Sequence, residues 1–151
     1  KIRLMKKFLC VAMICFLSLS CFSQDYNSTQ ENLRSQIKSY LINKGFDPEN
    51  QSDGLKIMSE GVAYYVEIST DDISPMYIRL ARYVKYSDDL THKKLYANIN
   101  QYNVKFCAKV TPLKNSILIS AEMYLNQASE FNAAFDTLLE QVKSATQTLK
   151  D

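Results

Sequence analysis

From residue 33 onward the apolar positions change period several times, and each change marks an element. Leu33, Ile37, Tyr40 and Leu41 recur at helical spacing and Gly45 ends the run, so the first helix carries one apolar stripe. Ser28 and Glu31 stand three apart ahead of it, the spacing of a capping box with Ser28 as N-cap. Phe46 to Gly54 is rich in turn formers and predicts a polar connection. The period then drops to two. Leu55 and Ile57 alternate with Lys56, Glu60-Gly61 offers a tight turn, and Val62 to Ile68 completes a hairpin. A third strand runs from Tyr77 to Tyr86, with Ile78, Leu80 and Val84 on one face and Tyr77, Arg79, Tyr83 and Lys85 on the other.

Helical spacing returns at Leu95, Ile99 and Tyr102, with Asp88 or Asp89 as cap. Val104, Phe106, Ala108 and Val110 form an alternating strand that Pro112 ends, and Ile117, Ile119, Ala121 and Met123 form the next. A last helix from about Ala128 to Leu149 carries Phe131, Phe135, Leu138, Leu139, Val142 and Leu149 on one stripe. Short connections make consecutive strands antiparallel, and single-striped helices need a sheet to cover. The expectation is one α+β domain, a five-stranded antiparallel sheet with helices packed on it, in the order α-β-β-β-α-β-β-α.

The first 23 residues obey a different logic. Lys6 and Lys7 precede fifteen uncharged residues, Phe8 to Phe22, the layout of a secretory signal peptide and shorter than the roughly 20 residues a membrane span needs. Met5-Lys6-Lys7-Phe8 has the look of an initiator, which would make Lys1 to Leu4 upstream translation. Two processing sites compete. Cleavage between Ser23 and Gln24 places small residues at −3 and −1, and this junction resembles those of exported Bacteroidetes-type proteins; alternatively Ser18-Leu19-Ser20-Cys21 resembles a lipobox, with Cys21 acylated. Either way residues 1–23 are a signal peptide and 24–151 an exported domain, periplasmic or extracellular, or lipid-anchored in the envelope.

Export changes the charge argument. The whole chain is formally +2, but residues 24–151 hold 14 Lys plus Arg against 16 Asp plus Glu, a balance of −2. Basicity belongs to the leader, so nothing argues for nucleic-acid binding. Of four cysteines only Cys107 lies beyond residue 23, which excludes an intrachain disulfide scaffold. Cys107 shares strand phase with Lys105 and Lys109, so an exposed thiol could join two chains in a homodimer.

The segment Ile99-Asn100-Gln101-Tyr102-Asn103 ahead of a strand, the hairpin from Lys105 to Tyr124 and the element order resemble the YbjN-like family, which shares the type III secretion chaperone fold. The similarity spans roughly Glu31 to Leu149. It implies a fold whose members bind proteins, often as dimers, and it carries no catalytic signature. Secretion chaperones work in the cytoplasm, so their effector-delivery role does not transfer to a chain with an export signal.

Catalytic sets are thin. His92, the only imidazole, sits among Thr91, Lys93 and Lys94 without a nucleophile elbow. One His and one mature Cys fall short of a zinc site, and Gly45, Gly54 and Gly61 form no phosphate loop. The pairs Asp71-Asp72 and Asp88-Asp89 are the material for an alternative, an envelope hydrolase using a carboxylate pair, but neighbours in sequence at loop starts are turn and cap residues first. Asp47 to Asp53 lacks calcium-loop spacing. Asn27-Ser28-Thr29 and Asp136-Thr137-Leu138 are short glycosylation-type triplets. Tyrosine is the sharper signal. Strand phase puts Tyr65, Tyr77 and Tyr83 together with Arg79 on the sheet face opposite the aliphatic stripe, and Tyr and Arg combine large contact area with a polar tip. The expectation is therefore an exported, non-enzymatic protein without cofactor that binds a protein or peptide through its sheet face or edge.

Overall fold

The computed structural model describes residues 26–71, 73–85, 103 and 108–149. Helix α1 (Ser28–Asn43) buries Leu33, Ile37 and Leu41, the stripe its spacing predicts. Its start is shifted by one residue from the expected Ser28–Glu31 box. Asn27 is the N-cap: its Oδ1 accepts from the Thr29 and Gln30 amides at 3.0 and 2.9 Å, and the Gln30 Oε1 accepts from the Asn27 amide at 2.8 Å. Asn-Ser-Thr-Gln is an equally good box one register earlier, and it prevails because it also buries Gln30, whose Nε2 donates to the Ser69 and Asp71 carbonyls at 3.1 Å each. The helix ends in a glycine stop. Gly45, at φ +89°, donates to the Ile42 carbonyl and Phe46 to that of Leu41.

Six strands follow among the described residues, not five: β1 (Glu49–Gln51), β2 (Gly54–Ser59), β3 (Val62–Ile68), β4 (Met76–Lys85), β5 (Lys109–Pro112) and β6 (Ser116–Leu125). The added strand lies in the segment expected to be a polar connection. Its three residues, Glu-Asn-Gln, carry no apolar alternation, and β1 is held by pairing with β2 and by Lys56 to Glu49 (2.9 Å) and Lys38 to Asn50 (2.8 Å). The sheet order is β1-β2-β3-β4-β6-β5, every neighbour antiparallel, so the element order also departs from the expected α-β-β-β-α-β-β-α by a fourth strand after α1. The helix expected from Asp88 or Asp89 to Asn103 lies outside the described residues apart from Asn103, as do Val104 to Cys107.

The β2–β3 hairpin turns on Glu60 and Gly61, both at positive φ (53° and 76°), as a primed two-residue turn requires. Helix α2 (Ala128–Thr148) buries Phe131, Phe135, Leu138, Leu139, Val142 and Ala145. It crosses β6 and β4, while α1 covers β2 and leans on α2. Phe135 meets Phe46, Phe131 and Tyr40 at ring distances of 5.5–6.0 Å, and the Tyr40 hydroxyl donates to the Asn132 carbonyl at 2.8 Å. Ile57, Tyr64, Val66, Ile78, Leu80, Val110, Ile117 and Ile119 meet these helices from one side of the sheet. Both described helices therefore occupy one face, which leaves the other to be explained.

Candidate functional site

The pleat decides which residues share that second face. In β3 the buried stripe is Tyr64, Val66 and Ile68, so Tyr65 and Glu67 point the other way. In β4, Ile78 and Leu80 face the helices and Tyr77, Arg79, Ala81 and Tyr83 do not. Register then sets neighbours: Tyr65 opposes Ala81, Glu67 opposes Arg79, Arg79 opposes Glu122, and Tyr77 opposes Tyr124. No described helix packs here.

All four residues expected from strand phase, Tyr65, Tyr77, Arg79 and Tyr83, are brought onto this one surface. Their organiser is Glu67, a carboxylate only 8% exposed. The Arg79 Nε donates to Glu67 Oε2, and the Tyr83 hydroxyl donates to Oε1 at 2.6 Å. Both carboxylate oxygens are thus engaged, which a covered charge requires. Burial pushes the Tyr83 phenol up to about 12, and the adjoining Glu67 charge adds to the shift. Burial works against the Arg79 charge, yet hydrogen bonding and attraction to Glu67 outweigh it and the guanidinium is held more firmly protonated. The Tyr77 phenol is raised too, by burial and then by Glu122.

Around this core stand two edge-to-face tyrosine pairs, Tyr65 with Tyr83 at 5.5 Å and Tyr77 with Tyr124 at 5.4 Å. Tyr77 and Tyr83 lie six residues apart on one strand, about 20 Å of sheet. Tyr124 is the most exposed large side chain of the set, at 61%. Glu122 accepts from the Ser120 hydroxyl at 3.0 Å and lies 3.8 Å from Lys109. Glu67 and Tyr124 were not among the sequence candidates, although alternation carries both: Glu67 shares phase with Tyr65, and Tyr124 lies opposite in phase to Met123.

The sheet edges differ from the face. At β5 the Val110 amide points outward and is taken by the Asn103 Oδ1 at 2.7 Å. Two residues on, Pro112 has no amide to offer, so the outward side of this strand presents no free donor. Asn103, the end of the Asn-x-x-Asn segment, therefore closes an edge. At the opposite edge β1 is three residues long.

The remaining candidates fall into structural places or outside the described residues. Asp71 accepts from the Ser69 hydroxyl at 3.0 Å and returns its amide to that hydroxyl at 3.1 Å, an ordinary turn. Asn27 caps α1, and in the Asp136-Thr137-Leu138 triplet Asp136 pairs with Lys44 at 2.6 Å while Leu138 is buried in α2. Cys21, Ser23, Gln24, Asp72, Asp88, Asp89, His92 and Cys107 lie outside the described residues. Among the described residues no group of three or more His, Cys, Asp and Glu could hold a metal ion, and no helix is long and apolar enough to cross a membrane.

Comparison with known proteins gives no match to a family model and none to a curated sequence. Solved structures do match. An uncharacterized protein from Methanothermobacter thermautotrophicus superposes with a TM-score of 0.57 at 14% identity, over 78% of this chain and 94% of that one. YbjN from E. coli, a proposed transcription regulator, gives 0.54 at 12% identity, over 76% and 86%. These likenesses support a YbjN-like fold.

Proposed function

We propose that this chain, on its YbjN-like fold, is an exported non-enzymatic binding protein that takes a protein or peptide segment on the tyrosine face of its sheet. The observation that carries this reading is the arrangement of two tyrosine pairs on either side of a charge-neutral Glu67–Arg79–Tyr83 cluster, on a face free of described helices. Aromatic rings fixed by their neighbours lose little freedom on contact, and Arg79 is already positioned by Glu67, so association costs little ordering entropy. Edge pairing is the weaker route, because strand addition draws affinity from main-chain bonds and β5 has no outward donor left. A regulator acting on DNA is disfavoured, since three of the positive charges of this face, Lys56, Arg79 and Lys109, are met by Glu49, Glu67 and Glu122.

A displayed random-peptide library selected on the mature domain tests the reading. Enriched peptides are expected to shift the amide resonances of Tyr65, Tyr77, Tyr83 and Tyr124, and Tyr124→Ser, at an exposed position, is expected to weaken them about tenfold. No enrichment above background, or unchanged affinity in Tyr124→Ser, overturns it. The homodimer proposed through Cys107 is checked by light scattering with and without reductant, and a monomer under both conditions refutes it.

A further inference from the structure

On the other side of the sheet, strand alternation brings a cation into a row otherwise apolar. Ile78 and Leu80 are fully buried under the helices, and the next residue in phase is Arg82. It lies where the end of α2 passes the β2–β3 turn, and there the surface opens into a pocket of about 330 Å³. Arg82 is half-buried, and its guanidinium stands 5.8 Å from the centre of the Tyr64 ring, itself 2% exposed. Among the described residues it has no carboxylate partner. Across the pocket Lys143, 21% exposed, bonds Glu60 at 2.8 Å and lies 3.7 Å from Glu140, and these acidic neighbours are 79% and 70% exposed. Ser144 and Gln147 complete the wall with neutral hydrogen-bonding groups and Val62 with apolar surface, above the buried Tyr64.

We propose that this pocket binds a small organic monocarboxylate, its carboxylate on the Arg82 guanidinium and its apolar part against Val62. A planar guanidinium with no counter-ion among the described residues matches a carboxylate in two parallel hydrogen bonds. Lys143 supplies a second positive charge once the exposed Glu60 swings aside, as a residue in a two-residue turn at the tip of a hairpin can. A single negative charge is favoured over the double charge of phosphate for two reasons. Lys143, Ser144 and Gln147 line the pocket from the last turns of α2, the negative end of the helix dipole, and Glu60 and Glu140 stand beside it. The pocket lies at the small end of ligand-site volumes, which suits a single aromatic or short aliphatic acid.

Nuclear magnetic resonance titration of the mature chain with benzoate, benzamide and inorganic phosphate tests the assignment. Benzoate is expected to shift the Arg82 Nε–H and the Ser144 amide in a saturable way, while benzamide, which keeps the shape but not the charge, leaves them in place. Arg82→Gln is expected to weaken benzoate about tenfold. Glu60→Gln, at an exposed turn where folding is not at stake, is expected to tighten it about threefold by removing the competing carboxylate. Equal shifts with benzamide, tighter binding of phosphate, or unchanged benzoate affinity in Glu60→Gln overturns the proposal.

Discussion

Glu67 and Arg79 form one ion pair with unequal shelter, and the inequality predicts which half can be lost. Glu67 is 9% exposed at its side chain and Arg79 30%, so an abandoned carboxylate stays dry while an abandoned guanidinium can reach water. Arg79→Met should cost about 2 kcal/mol and Glu67→Gln, which keeps an acceptor for Tyr83, about 1 kcal/mol. Urea denaturation midpoints compare the two, and the reverse order refutes the account. The same cluster sets a pH dependence. The folded-state pKa of Tyr83 lies above its unfolded value, so the neutral phenol's contribution is intact below about pH 10 and is lost as the pH rises through about 12. Tyrosinate absorbance should show a late-ionising fraction that shrinks in Tyr83→Phe. A fourth residue acts through the backbone. Gly54 sits at φ +151°, and a Cβ there would lie 1.9 Å from the Val66 carbonyl oxygen. Gly54→Ala is expected to cost about 3 kcal/mol, read as a lowered denaturation midpoint.

At the scale of elements, the start of α1 separates two near-identical local solutions. Asn27-Ser28-Thr29-Gln30 and Ser28-Thr29-Gln30-Glu31 both satisfy the capping pattern, and only the first aims Gln30 at the Ser69 and Asp71 carbonyls. Asn27→Ala should therefore destabilise by about 1 kcal/mol and Ser28→Ala by less than about 0.5 kcal/mol. Thermal unfolding of the two variants decides between the registers. Strand β1 makes the converse point. Nothing in Glu49-Asn50-Gln51 favours an extended conformation, and the strand exists because β2 offers a free edge seven residues on, at the register Glu49 to Lys56.

For the whole molecule, both described helices lie on one face of the sheet, while the other face carries the tyrosine surface, on which Tyr83 and Tyr124 are exposed and Ala81 and Ser120 are buried. The pocket at Arg82 and Lys143 lies at the margin of the helix-bearing face, so ligand binding there and peptide binding on the tyrosine face are expected to be separable by mutation. The export proposal makes its own prediction at this scale. Intact mass of native material should begin at Gln24 for a freely exported chain or at an acylated Cys21 for a lipoprotein, and a retained Met5 refutes both.

Periodicity alone determined most of the elements. The stripes of α1 and α2, the hairpin at Glu60-Gly61 and the opposed faces of β4 follow from spacings of about four or two, because a side chain's direction is fixed by local backbone geometry. For the same reason Tyr65, Tyr77, Arg79 and Tyr83 could be placed on one surface before any fold was known. Tertiary structure decided what local geometry leaves free. It set which cap register wins, that a polar segment pairs as β1, and that β6 inserts between β4 and β5. It also set that Glu67, one more polar strand residue in sequence, becomes the covered carboxylate that holds Arg79 and Tyr83. The cap register and the Glu67 cluster depend on partners distant along the chain, twelve and sixteen residues for Glu67 and about forty for Gln30, and only the folded chain brings such partners within bonding distance.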